Sequence, residues 1–156
     1  MAAFNKDMVK LAKANTFFQK EVYLDKNVQI VLMSLKQGED IGEETHRADQ
    51  TTYFVAGKGS AVLDGRSTKV AANHMIVIPQ GTRHNIINKG TTPLKLFSVY
   101  APPAEDPGVK HKTKAEAEAA EQSAVTKAVK AVKAVKKTLS GRAPAKPVRK
   151  TRKKRA

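Results

Sequence analysis

The chain has 156 residues, a net charge of +15 and no cysteine. That length allows one domain with a real core plus an extension, and the lack of cysteine excludes disulfides and thiolate metal sites. No apolar run approaches the roughly 18 to 20 residues of a membrane-spanning helix, and the opening MAAFNKDMVKLAKANTFF lacks the continuous apolar segment of a secretory leader, so a soluble intracellular protein without membrane association is expected.

In chain order, residues 5–14 fit a short amphipathic helix with Met8, Leu11 and Ala12 on one face. Strand-like segments follow. FFQKEVYLD (17–25) and VQIVLMSLK (28–36) are broken by Lys26-Asn27, and TTYFVAG, GSAVLDG, STKVA, MIVIP, HNIIN and LKLFSVYA recur at short, regular intervals. That rhythm predicts an all-β sandwich or barrel and not alternating βα units. Asp64-Gly65 is a hairpin turn signal and Pro79-Gln80-Gly81 a second turn.

After Tyr100 the composition changes. Prolines and a glycine in APPAEDPGVK end the sheet, and residues 115–139 are rich in helix formers, with glutamates early and lysines late as the helix dipole favours. Lys127, Lys130, Lys133 and Lys136 repeat every three residues, a step of about 300° that spreads charge around the helix, so a marginal, solvated helix is expected. Residues 140–156 combine proline with dense positive charge, a composition expected to be disordered when free.

Charge divides with this organisation: residues 1–109 carry 13 Lys/Arg against 11 Asp/Glu, and 110–156 carry 16 against 3. The reading is an N-terminal helical segment (1–17), a β domain (18–109) and a basic tail (110–156). Lys127, Lys130, Lys133, Lys136, Lys137, Arg149, Lys150, Arg152, Lys153, Lys154 and Arg155 are candidate contacts to DNA or RNA phosphates by counterion release. No aromatic residue follows Tyr100, so base stacking is excluded there. Lys136-Lys137 with Arg149 to Lys153 also has the form of a bipartite nuclear import signal, which leaves cytoplasm, nucleoid and nucleus open.

The β region carries two spaced clusters. In the first, Gly38 is followed by Glu44, His46, Gln50 and Gly57; in the second, Asn73 is followed by Pro79, Gly81, His84 and Asn88. These spacings resemble the two signature motifs of the cupin superfamily, with Glu44, Gln50 and Asn73 replacing the family's His, Glu and Gly. The resemblance covers about residues 18–101 and is closest to the small cupins labelled mannose-6-phosphate-isomerase-like, while the tail resembles that of a linker histone. The family likeness implies a double-stranded β-helix or jelly-roll barrel and a homodimer. It also implies one divalent metal ion held by Glu44, His46, Gln50 and His84, and a small polar ligand in the barrel. A set of nitrogen and hard oxygen donors without sulfur suits Mn, Fe, Ni, Co or Zn. Met33, Phe54, Phe97 and Tyr100 are candidate pocket walls, with plain core packing as the alternative. Metal-dependent isomerase, lyase or oxygenase chemistry stands beside a structural reading, in which the barrel dimerises and the tail binds nucleic acid.

Overall fold

The computed structural model describes residues 3–140, with side chains through residue 136. Helix α1 (Met8–Ala14) is started by Asp7, whose carboxylate accepts the Lys10 N–H at 2.9 Å. Met8, Leu11 and Ala12 face the sheet as their spacing requires and pack with Leu32 and Val55 in a small outer cluster. Phe97 packs there too and stacks on Tyr53 at 5.5 Å, so it lies on the outer face and is not a pocket wall.

Nine strands follow among the described residues: β1 (Gln19–Leu24), β2 (Gln29–Leu35), β3 (Asp49–Ala56), β4 (Lys58–Leu63), β5 (Arg66–Ala71), β6 (Met75–Ile78), β7 (His84–Asn88), β8 (Leu94–Ala101) and β9 (Lys110–His111). They form a six-stranded sheet in the order β6-β3-β8-β2-β1-β9 and a three-stranded sheet in the order β5-β4-β7, the two layers of a jelly roll. Every named pairing is antiparallel.

Period-two alternation sends one set of side chains inward. Val31, Met33 and Leu35 of β2, Phe54 of β3, Ala61 of β4, Val70 of β5, Ile86 of β7 and Leu94, Leu96 and Tyr100 of β8 make one buried cluster between the sheets. Met33 and Phe54 belong to this packed interior.

Asp64 (φ 46°) and Gly65 (φ 80°) turn β4 into β5, the positive-φ pair that a tight hairpin demands. Asn73 takes φ 69° in the turn before β6, a conformation that asparagine tolerates as a replacement for glycine. Asn88 closes the end of β7: its amide donates to the Leu35 and Thr92 carbonyls, and its side-chain oxygen accepts from the Gly90 N–H.

The compact unit that holds the barrel runs through Glu118, because β9 pairs with β1 and Val109 and Ala117 join the interior cluster. Helix α2 (Lys114–Ser140) begins within that unit, where Lys114 pairs with Asp40. Val125, Val129, Val132 and Val135 are all exposed along it, as are Lys127, Lys130, Lys133 and Lys136. This agrees with a solvated helix and excludes a buried apolar stripe over that stretch. The side chain of Lys137, and Arg149, Lys150, Arg152, Lys153, Lys154 and Arg155 with the rest of the expected disordered segment, lie outside the described residues.

Candidate metal centre

Glu44 does not sit in a regular strand. It forms an isolated antiparallel bridge with His84: each residue's N–H donates to the other's carbonyl at 2.9 Å. The bridge sets the two residues side by side, and the extended chain beyond it brings His46 to the same side, past the solvent-facing Thr45. The Pro79-Gln80-Gly81 turn docks here as well, with the Gly81 N–H donating to the His46 carbonyl at 2.9 Å. Asp49, next to Gln50, points outward and accepts the Gln80 N–H, as alternation requires.

One nitrogen of His46, one of His84 and one oxygen of Glu44 all lie within 4.8 Å of one another, a group that could hold a metal ion. The His46 Nε2 is 3.1 Å from Glu44 Oε2, and His84 Nε2 is 3.9 Å from that same oxygen. The His84 tautomer follows from its partners. Its Nδ1 is 2.9 Å from the Thr82 carbonyl, which can only accept, so Nδ1 carries a proton and in the neutral ring Nε2 presents a lone pair. That Nε2 is buried and has no hydrogen-bond partner. A buried imidazole nitrogen with its other nitrogen tied to a carbonyl is the state of a metal-ligating histidine.

Gln50 is fully buried on the inner face of β3, paired with Tyr100 across the ladder. Its amide nitrogen donates to the Thr52 and Ser98 hydroxyls at 3.3 and 3.2 Å, while its side-chain oxygen has no partner. Of the three buried side-chain atoms without a partner among the described residues, His84 Nε2, Gln50 Oε1 and Asn85 Oδ1, the first two belong to the motif residues, and a hard oxygen with imidazole nitrogens matches a borderline divalent cation. Tyr100 does border the site: its ring meets His46 edge-on at 5.3 Å.

Glu105, in the turn after β8, also belongs to this neighbourhood. Its Oε1 is 4.0 Å from His46 Nε2. Sequence reasoning passed over it because it lies in the Pro-rich segment that ends the sheet, with no motif spacing to mark it. The electrostatics bind these groups together. Burial lowers the proton affinity of His46, but the Glu44 hydrogen bond and the Glu44 and Glu105 charges outweigh it and leave the imidazole raised. Burial first, and the charge of Glu44 second, raise the Glu105 carboxyl. Burial raises the Tyr100 phenol well above its ordinary value.

Two surface cavities, of about 200 and 490 Å³, are lined by other residues: Thr16, Phe18 and Lys95 among them in the first, and Lys58, Lys69, His74 and Lys89 in the second. Neither includes the Glu44, His46 and His84 group, so these two cavities are separate from the chemistry. His74 is exposed and His111 binds Gln19 at 3.1 Å, both away from the cluster.

Known proteins resemble this chain over the same region. The cupin domain model matches residues 31–100. The uncharacterized protein YrkC of Bacillus subtilis is 43% identical over 120 residues, which are 72% of this chain and 64% of that protein. The chain thus spans less than two thirds of that relative's length. The 1.41 Å crystal structure of a Bacillus halodurans protein is 37% identical, covering 76% of this chain and 95% of that one with a TM-score of 0.73. An RmlC-like cupin from Shewanella frigidimarina shares the fold at 20% identity and a TM-score of 0.52, over 56% of this chain and 78% of its own. Among the described residues no helix is long and apolar enough to cross a membrane. The domain match falls on β2 through β8, the strands that carry both motifs and the His/Glu group, and with the 37% identity over nearly all of a solved chain it establishes that this protein belongs to the cupin superfamily.

Proposed function

We propose that the barrel holds one divalent metal ion, Mn, Fe, Ni, Co or Zn, through Glu44, His46 and His84 with Gln50 Oε1 as a further donor, and binds a small polar ligand bearing a carbonyl or carbohydrate-like group. The observation that carries this reading is the His84 Nε2 lone pair, buried, unpartnered and 3.9 Å from a carboxylate oxygen. An orphaned buried acceptor costs about 1–3 kcal/mol, a penalty that coordination removes.

The chain's own groups divide the work. Thr82 fixes the His84 tautomer through its carbonyl. Glu44 supplies negative charge and orients His46. Thr52 and Ser98 hold the Gln50 amide nitrogen and leave its oxygen available. Glu44 and His46 are 20% and 14% exposed at their side chains, which leaves the group open to a ligand on one side. A divalent cation in such a set supplies Lewis-acid polarisation of a bound carbonyl. Isomerase or lyase chemistry fits this better than oxygenation does, because polarisation alone suffices.

The test is to purify the full chain without chelator and measure its metal content beside the His46→Ala/His84→Ala double variant. Near-stoichiometric metal in the parent, lost in the variant, supports the reading; no metal in either sinks it.

A second reading concerns the basic tail as a non-specific ligand of nucleic-acid phosphates, with a barrel homodimer presenting two tails to raise avidity. It is favoured by Lys127, Lys130, Lys133 and Lys136 being exposed on a helix that carries no acidic residue after Glu121. The two readings are compatible, since they use different residues.

A further inference from the structure

The geometry points to Glu105 as an additional protein ligand of the proposed metal site, the second carboxylate in place of the one that β3 replaces with Gln50. This rests on the reading that a metal binds there.

Separation comes first. With metal–ligand bonds of about 2.1 Å, two atoms bound to one cation can be at most about 4.2 Å apart. The His46 Nε2 to Glu44 Oε2 distance is 3.1 Å, Glu44 Oε2 to His84 Nε2 is 3.9 Å and His46 Nε2 to Glu105 Oε1 is 4.0 Å. All three lie under that ceiling; Glu105 stands outside the group whose ligand atoms are all within 4.8 Å of one another, so its carboxylate turns toward the ion on binding.

Charge comes second. Glu105 and Glu44 stand together, 16% and 20% exposed, and among the described residues neither has a Lys or Arg ion pair. A half-buried pair of carboxylates without a fixed cation is costly, and a divalent ion neutralises both. The unpartnered His84 Nε2 indicates independently that this cluster is built to receive a ligand.

Support comes third. The turn carrying Glu105 is clamped by the fully buried Gln29, whose Oε1 accepts the Ala104 and Glu105 N–H groups at 3.1 and 2.8 Å and whose amide donates to the Glu105 carbonyl at 3.2 Å. The same amide donates to Glu21 Oε2 at 2.8 Å, and Glu21 Oε1 accepts the Gly108 N–H, so both sides of the turn are pinned to the sheet. The Tyr100 and Gln19 side chains favour the charged form of the Glu105 carboxylate. Ligating carboxylates are held by such outer partners.

The experiment titrates chelator-stripped, full-length protein with Co(II), read by calorimetry and by the visible ligand-field spectrum, for the parent, Glu105→Gln, Glu105→Asp and His46→Ala/His84→Ala. Circular dichroism confirms that each variant is folded. The inference expects Glu105→Gln to bind Co(II) at least tenfold more weakly with an altered visible band, Glu105→Asp to recover part of both, and the double histidine variant to bind none. If Glu105→Gln matches the parent in Kd and spectrum while the histidine variant loses the metal, Glu105 is not a ligand and the metal site stands without it. If the parent takes up no Co(II), the site and this assignment fall together.

Discussion

Gln29 and Glu105 are 76 residues apart in sequence, yet the Gln29 side chain reads the Glu105 backbone on both polarities: its Oε1 accepts the N–H at 2.8 Å and its Nε2 donates to the carbonyl at 3.2 Å. Gln29 is completely buried on β2, the strand next to β8 in the sheet, so the turn after β8 is positioned by a neighbouring strand. Replacing Gln29 with Leu keeps much of the volume but strands the Ala104 and Glu105 N–H groups and the Glu21 carboxylate. At about 1–3 kcal/mol for each buried group left unsatisfied, a loss of roughly 2 kcal/mol is expected after partial rescue by water. Denaturant unfolding of Gln29→Leu measures it. A loss below 0.5 kcal/mol, on the order of an exposed surface change, would show that the turn is held by other contacts.

The site's pH dependence follows from protons held more tightly in the folded chain. His46 is raised, with burial opposing and the Glu44 and Glu105 interactions prevailing, and Glu105 is raised chiefly by burial. A group whose folded value is raised stabilises fully below its unfolded value and loses that contribution as pH climbs through the folded one. For Glu105 the loss begins above about pH 4.3, and for His46 above about pH 6.5. Asp40 acts in the opposite direction and in another window. Burial raises it, but hydrogen bonds from Lys114 and the Gly42 N–H outweigh that and lower it, so its contribution is present above about pH 3.9 and fades only in stronger acid. The melting temperature of metal-free protein should therefore fall between pH 5 and pH 8. With saturating metal the trend should reverse, because the ion displaces the His46 proton and binds more tightly as pH rises. Parallel slopes with and without metal would contradict this.

Gly59 marks a close approach between β4 and β7. A Cβ there would lie 2.2 Å from the Ile87 carbonyl oxygen and 3.1 Å from Leu94 Cδ2, and backbone in a paired ladder cannot move aside cheaply. Gly59→Ala is expected to cost about 3 kcal/mol or more, in the range of overpacked cores. Gly65 has open space around the position of a Cβ, and only its φ of 80° resists substitution. Gly65→Asn should cost about 1 kcal/mol or less, since asparagine accepts that conformation. Thermal unfolding of both variants compares a steric demand with a conformational one, and equal shifts would remove the distinction.

The eight longer strands were legible because each combines β-branched or aromatic residues with flanking turn signals, and α1 because Met8, Leu11 and Ala12 share a face. The two-residue β9 was not, because Lys110-His111 has no apolar pattern of its own and pairs only because the chain returns to β1. At the site, motif spacing led to Glu44, His46 and His84, which converge. What fixes them in place, one bridge to His84 and the Gly81 contact, leaves no local signature. Glu105 was invisible for the same reason, since its placement is written in Gln29 and Glu21, on β2 and β1. Phe97 looked like a pocket wall by residue type, but the odd positions of β8 face outward while Leu96, Ser98 and Tyr100 face in.

Barrel and tail should separate in function, because every residue of both apolar clusters lies at or before Ala117. Removing residues 119–156 deletes 13 Lys/Arg residues and one glutamate, Glu121, and takes the net charge from +15 to +3. The truncated chain is expected to melt within a few degrees of the full one and to bind metal with unchanged stoichiometry. Nucleic-acid affinity should respond differently. If the full chain binds duplex DNA through phosphates, log K falls linearly with log salt at a slope of about −0.9 for each phosphate neutralised, and the truncated chain should lose both the binding and the slope. Fluorescence anisotropy with one random-sequence duplex at several salt concentrations measures this. A truncated chain that retains salt-sensitive binding would move the contact onto the barrel, where Lys58, Lys69 and Lys89 line one cavity and form no ion pair among the described residues. A full chain that shows no salt-dependent binding would reduce the tail to a solubilising extension.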